Sequence, residues 1–131
     1  MNFADASAFL ALLYGHDRNH KEAVQWPTLE RPVLSRNLVL AELAKLLAWR
    51  LGYTVAAGLI TDLYRSPSID IAASRRDDEI QAIVQMRKFA DQDIGFTDCV
   101  SFAIMRRYKI CTAFCFDRHF RLVGFHVIGL K

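Results

Sequence analysis

Short runs of β-favouring, apolar residues alternate with longer stretches of helical spacing along this chain, and few architectures accommodate that order. A very short strand ends at Asp5 and a helix follows over 6–14, which places a strand-to-helix junction at Asp5, with Asp5 or Ser7 as its cap. Residues 20–30 keep helical spacing until Pro27 interrupts it. Pro32-Val-Leu-Ser then reads as a short buried strand, and a second junction falls near Ser35. The strongest helical pattern covers 37–51, opened by Asn37 and ended by Gly52, and a further helix is expected over 53–65 until Ser66-Pro-Ser breaks it. Ile69-Asp-Ile-Ala is a third strand, Arg75 to Phe89 and Phe96 to Tyr108 are helices, Thr112 to Phe116 is a fourth strand, and Val123 to Ile128 supplies the last. This order predicts a parallel sheet covered by helices on both faces, with any ligand site beyond the carboxyl ends of the strands.

The 131 residues, 53% of them hydrophobic, suffice for one domain with a substantial core and are too few for two, so residues 1–131 are expected to form a single unit. Seventeen Lys and Arg against 14 Asp and Glu leave a formal charge of +3, which permits nucleic-acid binding without requiring it. Arg36, Arg75, Arg76, Arg106, Arg107, Arg118 and Arg121 are the residues available to hold a nucleic-acid backbone. Three cysteines, Cys99, Cys111 and Cys115, are odd in number and include no CxxC pair, which argues against a disulfide scaffold and a thiolate zinc site and favours a reducing cytoplasm. No stretch approaches the ~20 apolar residues that cross a bilayer, and the amino terminus has no export pattern, so a soluble, cytoplasmic protein is expected.

Four acids stand where an apolar run ends or a helix begins: Asp5, Glu42, Asp98 and Asp117. Asp5 and Asp117 close strand-like runs, Glu42 interrupts the apolar helix Leu38 to Leu47 with Leu38, Val39, Leu46 and Trp49 as its helical neighbours, and Asp98 lies in a first helical turn. Each alone has an ordinary reading as a cap, a turn former or a dipole partner. Brought together at ~6 Å they repel by roughly 3 kcal/mol per pair at an effective dielectric of ~20, a burden comparable in sum to the ~5–15 kcal/mol net stability of a domain. Such a cluster is partly protonated when empty or else holds cations, and oxygen-only ligands suit magnesium or manganese better than zinc. Those ions point to phosphodiester hydrolysis.

The motifs Phe3-Ala-Asp5-Ala-Ser7, Asn37-Leu-Val-Leu-Ala-Glu42, Phe96-Thr97-Asp98-Cys-Val-Ser-Phe and Phe116-Asp117-Arg-His119-Phe120, followed by Gly124-Phe125, resemble the PIN-domain family and in particular its VapC-like toxin ribonucleases. The resemblance runs from residue 3 to about 128. It implies a three-layer α/β/α sandwich around a central parallel sheet of four or five strands, with Asp5, Glu42, Asp98 and Asp117 binding Mg2+ or Mn2+. It further implies endonucleolytic cleavage of RNA by metal-activated water, Thr97 assisting at the site, a homodimer, and a cognate antitoxin protein that blocks the acidic groove. The chain departs from the pattern at Arg36, where the family often carries a hydroxyl residue, at Gly95, often Ser, and at Cys115, often Thr. Among the four histidines His119 alone, two residues after Asp117, is close enough in sequence to reach the site.

Two other readings follow from the same residues: an RNA-processing nuclease outside any toxin-antitoxin pair, and an inactive module of the same fold that grips RNA or protein. A phosphoacceptor signalling domain is disfavoured, because Asp5 is followed by Ala-Ser and no Lys follows Val123-Gly-Phe before the terminus.

Overall fold

The computed structural model describes residues 1–25 and 32–129. The strands are β1 (Asn2–Ala4), β2 (Val33–Arg36), β3 (Ile69–Ala72), β4 (Thr112–Phe114) and β5 (His126–Ile128), and all neighbours in the sheet run parallel in the order β3-β2-β1-β4-β5. The helices are α1 (Ala6–Leu13), α2 (His20–Ala23), α3 (Asn37–Leu51), α4 (Tyr53–Arg65), α5 (Arg76–Lys88), α6 (Phe96–Arg107) and α7 (His119–Leu122). A parallel sheet needs a crossover between successive strands, and here helices supply each one. Helices flank the sheet, α1 to α4 packing among themselves and α5 to α7 among themselves. No helix among the described residues is long and apolar enough to cross a membrane.

The chain leaves β1 toward β2 and β3 on one side, then returns to β4 and β5 on the other. Strand order therefore reverses between β1 and β4, and an open crevice at their carboxyl ends is where α/β sheets place ligands. Phe3 pairs with Ala113 and Ala4 with Phe114, and the ladder extends one residue further as the Asp5 N–H donates to the Phe114 carbonyl at 3.1 Å. That bond fixes Asp5 at the mouth of the crevice.

Three aromatic side chains support this end of the molecule from beneath. Phe3 stacks on Phe120 with ring centroids 6.1 Å apart, and Phe102 meets Phe120 edge-on at 5.0 Å. All three are fully buried. Each such pair contributes about 0.5–1.5 kcal/mol beyond the area it removes from water. They join β1, α6 and α7, the elements that carry or adjoin Asp5, Asp98 and His119.

Several local expectations change in three dimensions. Asp5 occupies the cap position of α1 but makes no side-chain capping bond, while the Ser7 hydroxyl accepts the Phe116 N–H at 2.9 Å and so ties α1 to the end of β4. Asn37 is the first residue of α3 rather than its cap. The fourth and fifth strands are shorter than the β-favouring residues predict, because the polypeptide turns into the short helix α7 that alternation alone does not disclose. The interruption expected at Pro27 lies outside the described residues, and the helix before it is confined to His20–Ala23.

Candidate active site

Asp5 is 5% exposed, and its Oδ1 has no hydrogen-bond partner. Burial foremost, then the charge of Asp98, with smaller contributions from Glu42 and Asp117, pushes its carboxyl up to about 8, against a weaker opposing bond from the Ala6 N–H. A buried carboxylate oxygen without a donor is costly unless a proton or a cation satisfies it.

Asp98 sits in the first turn of α6, where the helix dipole favours negative charge. Asp117 lies three residues beyond β4, and its Oδ1 accepts the His119 N–H at 2.6 Å in the side-chain turn that starts α7. The two acids converge on one imidazole: His119 Nδ1 is 3.0 Å from Asp98 Oδ2 and 3.3 Å from Asp117 Oδ1. With the carboxylates ionised, Nδ1 is the donor. Desolvation raises the Asp98 carboxyl above its ordinary range, the His119 hydrogen bond opposes that, and the neighbouring charge of Asp117 adds to it. Ligand atoms of Asp98, Asp117 and His119 all lie within 4.8 Å of one another, a spacing that one metal ion spans.

Glu42 differs from its sequence expectation. The buried stripe of α3 is Val39, Leu40, Leu43 and Leu47, and Glu42 falls beside it on an exposed part of the helix. Although the residue as a whole is exposed, loss of water around the carboxyl, with the charges of Asp98 and Asp117, holds its carboxyl above the usual glutamate range. Glu42 thus shares an electrostatic environment with the other three acids without being a buried charge. Thr97 is half-buried, and it is its backbone carbonyl, not its hydroxyl, that has a defined partner, Arg36.

Arg36 is the feature that spacing alone misrepresents. It ends β2 fully buried, so it cannot lie along a nucleic-acid backbone as its charge suggested. Its Nε donates to Ser101 Oγ at 2.9 Å and its Nη2 to the Thr97 carbonyl at 2.6 Å, both on α6, while Nη1 has no partner. Burial lowers its pKa to about 10, partly offset by Asp5, Asp98 and Glu42. Ser101, which lies inside the motif around Asp98 but was assigned no role there, completes the arrangement by donating to the Thr97 carbonyl at 3.3 Å. The other expected arginines divide by environment. Arg107 is held by Asp78 through Nε at 3.1 Å and Nη2 at 2.9 Å, and Arg106 lies over the Phe125 ring, whereas Arg76 and Arg118 are exposed.

The ligand atoms that converge are two carboxylates and an imidazole, those of Asp98, Asp117 and His119; Asp5 and Glu42 stand outside that group but feel its charge, and the orphaned Asp5 oxygen is what a hard divalent cation would satisfy. The residues therefore fit such an ion.

A parallel sheet of this order, flanked by helices and carrying acids at its carboxyl edge, defines a class that the comparisons resolve further. Residues 3–126 match the PIN domain. Over 126 residues the chain is 31% identical to the 23S rRNA-specific endonuclease VapC20 of Mycobacterium tuberculosis, covering 95% of each. The crystal structure of M. tuberculosis VapC20, described as a sarcin-ricin loop cleaving toxin, superposes with a TM-score of 0.88 at 29% identity over 95% of this chain and 96% of that one. Two more distant structures share the fold at 11% identity. A toxin-antitoxin complex from Klebsiella pneumoniae has a TM-score of 0.67 over 98% of this chain and 96% of its own, and VapBC2 of Rickettsia felis bound to a promoter DNA fragment has 0.68 over 97% and 96%. This chain belongs to the PIN-domain family and is VapC-like.

Proposed function

We propose that this protein is a metal-dependent RNA endonuclease, the toxin of a type II toxin-antitoxin pair, acting in the cytoplasm. The observation that carries the reading is the buried, unpartnered Asp5 Oδ1 beside the Asp98 and Asp117 carboxylates, at the point where strand order reverses. Asp5, Glu42, Asp98 and Asp117 hold Mg2+ or Mn2+. When bound, such an ion supplies a nucleophile from water at neutral pH and neutralises charge on phosphate oxygens. The chain's own groups prepare for it. Asp5 retains a proton to unusually high pH, and a bound cation would take that proton's place on the carboxylate. His119 Nδ1 fixes the carboxylates of Asp98 and Asp117 toward each other. Thr97, in the first turn of α6, assists by holding that turn through its carbonyl.

The relative's activity on 23S rRNA, and its nearly full-length match, support RNA as the substrate class. The toxin-antitoxin assemblies among chains of the same fold support a cognate antitoxin as partner, and a homodimer is part of the same reading. The test is cleavage of a mixed RNA pool by the purified chain with and without Mg2+, beside Asp5→Asn and Asp98→Asn. Metal-dependent cuts by the wild type alone are expected. Equal activity in all three proteins rejects the proposed site, and no cleavage by any of them favours a binding module. A short adjacent reading frame encoding a DNA-binding antitoxin separates the toxin from an RNA-processing nuclease.

A further inference from the structure

Arg36 brings a full positive charge to the floor of an acidic site without spending it on an acid. Both of its bonded partners are neutral, the Ser101 hydroxyl and the Thr97 carbonyl. Among the described residues no carboxylate forms an ion pair with its guanidinium, yet Asp5, Asp98 and Glu42 all act on it through space. The side chain is 0% exposed, so solvent screens this field little. Its anchors lie on the helix whose first turn carries Asp98, three residues before Ser101, and Arg36 itself directly precedes the helix that carries Glu42. A cation held rigidly among these elements repels any second cation that enters.

We propose that Arg36 is a resident cation that takes the electrostatic place of one divalent ion, so that this site binds a single metal ion where an uncharged residue would admit a second or hold the first more tightly. The proposal rests on the acids being the metal site. Arg36 here is a positioning and charge-setting residue, since its whole side chain, the unpartnered Nη1 included, is buried. A unit charge removed from such a site changes divalent affinity by at least about tenfold.

The test counts bound Mn2+ by electron paramagnetic resonance of the free ion, on the full chain at about pH 8, and needs no activity. The wild type is expected to bind one ion per chain. Arg36→Lys, which keeps the charge, is expected to match it, whereas Arg36→Gln and Arg36→Ser are expected to bind Mn2+ at least about tenfold more tightly or to take up a second ion. Circular dichroism confirms that each variant is folded. Two ions bound by the wild type overturn the proposal even if no variant folds, as does unchanged affinity and stoichiometry in a folded Arg36→Gln. Asp98→Asn distinguishes the levels of failure: if it binds Mn2+ as the wild type does, the acids are not the metal site and both readings fall, whereas if it loses binding while Arg36→Gln is unchanged, only the role of Arg36 does.

Discussion

At the scale of single residues, Asp5 gives the clearest consequence. Its carboxyl titrates near 8 in the folded chain against an ordinary value of 3.8, so the native state holds a proton that the unfolded state has lost between those values. The resulting stability is fully present below about pH 4 and lost as the pH rises through about 8. Metal-free protein is therefore expected to melt at a lower temperature at pH 8 than at pH 5, by on the order of 5 °C or more. Asp5→Asn should flatten that dependence and be the more stable protein at pH 8, which thermal melts across the range would show. A loss of stability in Asp5→Asn at pH 8 would contradict it. Asp78 shows the opposite economy. Its buried carboxylate accepts the Arg75 N–H at 2.8 Å at the start of α5 and both Arg107 nitrogens from α6. Asp78→Ala removes a helix cap and takes away the carboxylate that Arg107 grips, and a denaturant midpoint should register a loss of about 2 kcal/mol.

At the scale of elements, the loop after β4 has to deliver Asp117, and a glycine on β5's trailing edge permits it. Gly129 has a φ of 112°, and a Cβ there would stand 2.7 Å from the Cys115 carbonyl and 3.2 Å from the Phe116 ring. Gly129→Ala is expected to cost about 1–3 kcal/mol and to displace the segment leading to Asp117, read as weaker Mn2+ binding together with a lower melting temperature. Gly52, by contrast, joins α3 to α4 at φ 85° with open space around it, so its substitution strains only its own backbone. Gly52 was legible as a helix stop because a periodic pattern ended there, and the elements from α3 through α6 followed from spacing within a residue or two. What eluded sequence reasoning were features decided by non-local contacts. The helix α7 is four residues long and begins from the Asp117 side-chain turn. The burial of Arg36 depends on Ser101 and Thr97, more than sixty residues away, and a charged side chain between a strand and a helix gives no local sign of it. Asp5, Asp98 and Asp117 could be named as candidates because each lies at a strand end or in a first helical turn, and Glu42 because it is a charge interrupting an apolar helical run. Glu42 lay off the apolar stripe because a fifteen-residue helix rotates its interruptions as well as its hydrophobes.

At the scale of the whole molecule, binding of a cation to the folded chain alone should stabilise it by linkage. Mg2+ at about 100 times its dissociation constant adds about 2.7 kcal/mol, so the wild type is expected to melt several degrees higher with Mg2+ at pH 8, and Asp98→Asn is expected to gain little. Equal gains in the two proteins would place the ion elsewhere. The sheet order has one more consequence. Its central neighbours β1 and β4 come from opposite ends of the polypeptide, and the carboxylates that meet at their edge are synthesised more than a hundred residues apart. A fragment that stops before Asp117 lacks one of the four proposed ligands, and one that stops before β4 cannot pair β1 with the strand that orients Asp5. Cleavage of the backbone anywhere between β1 and β4 therefore separates Asp5 from both its pairing strand and Asp117, so a single nick in the connecting helices that lets the halves part dismantles the whole acidic edge at once.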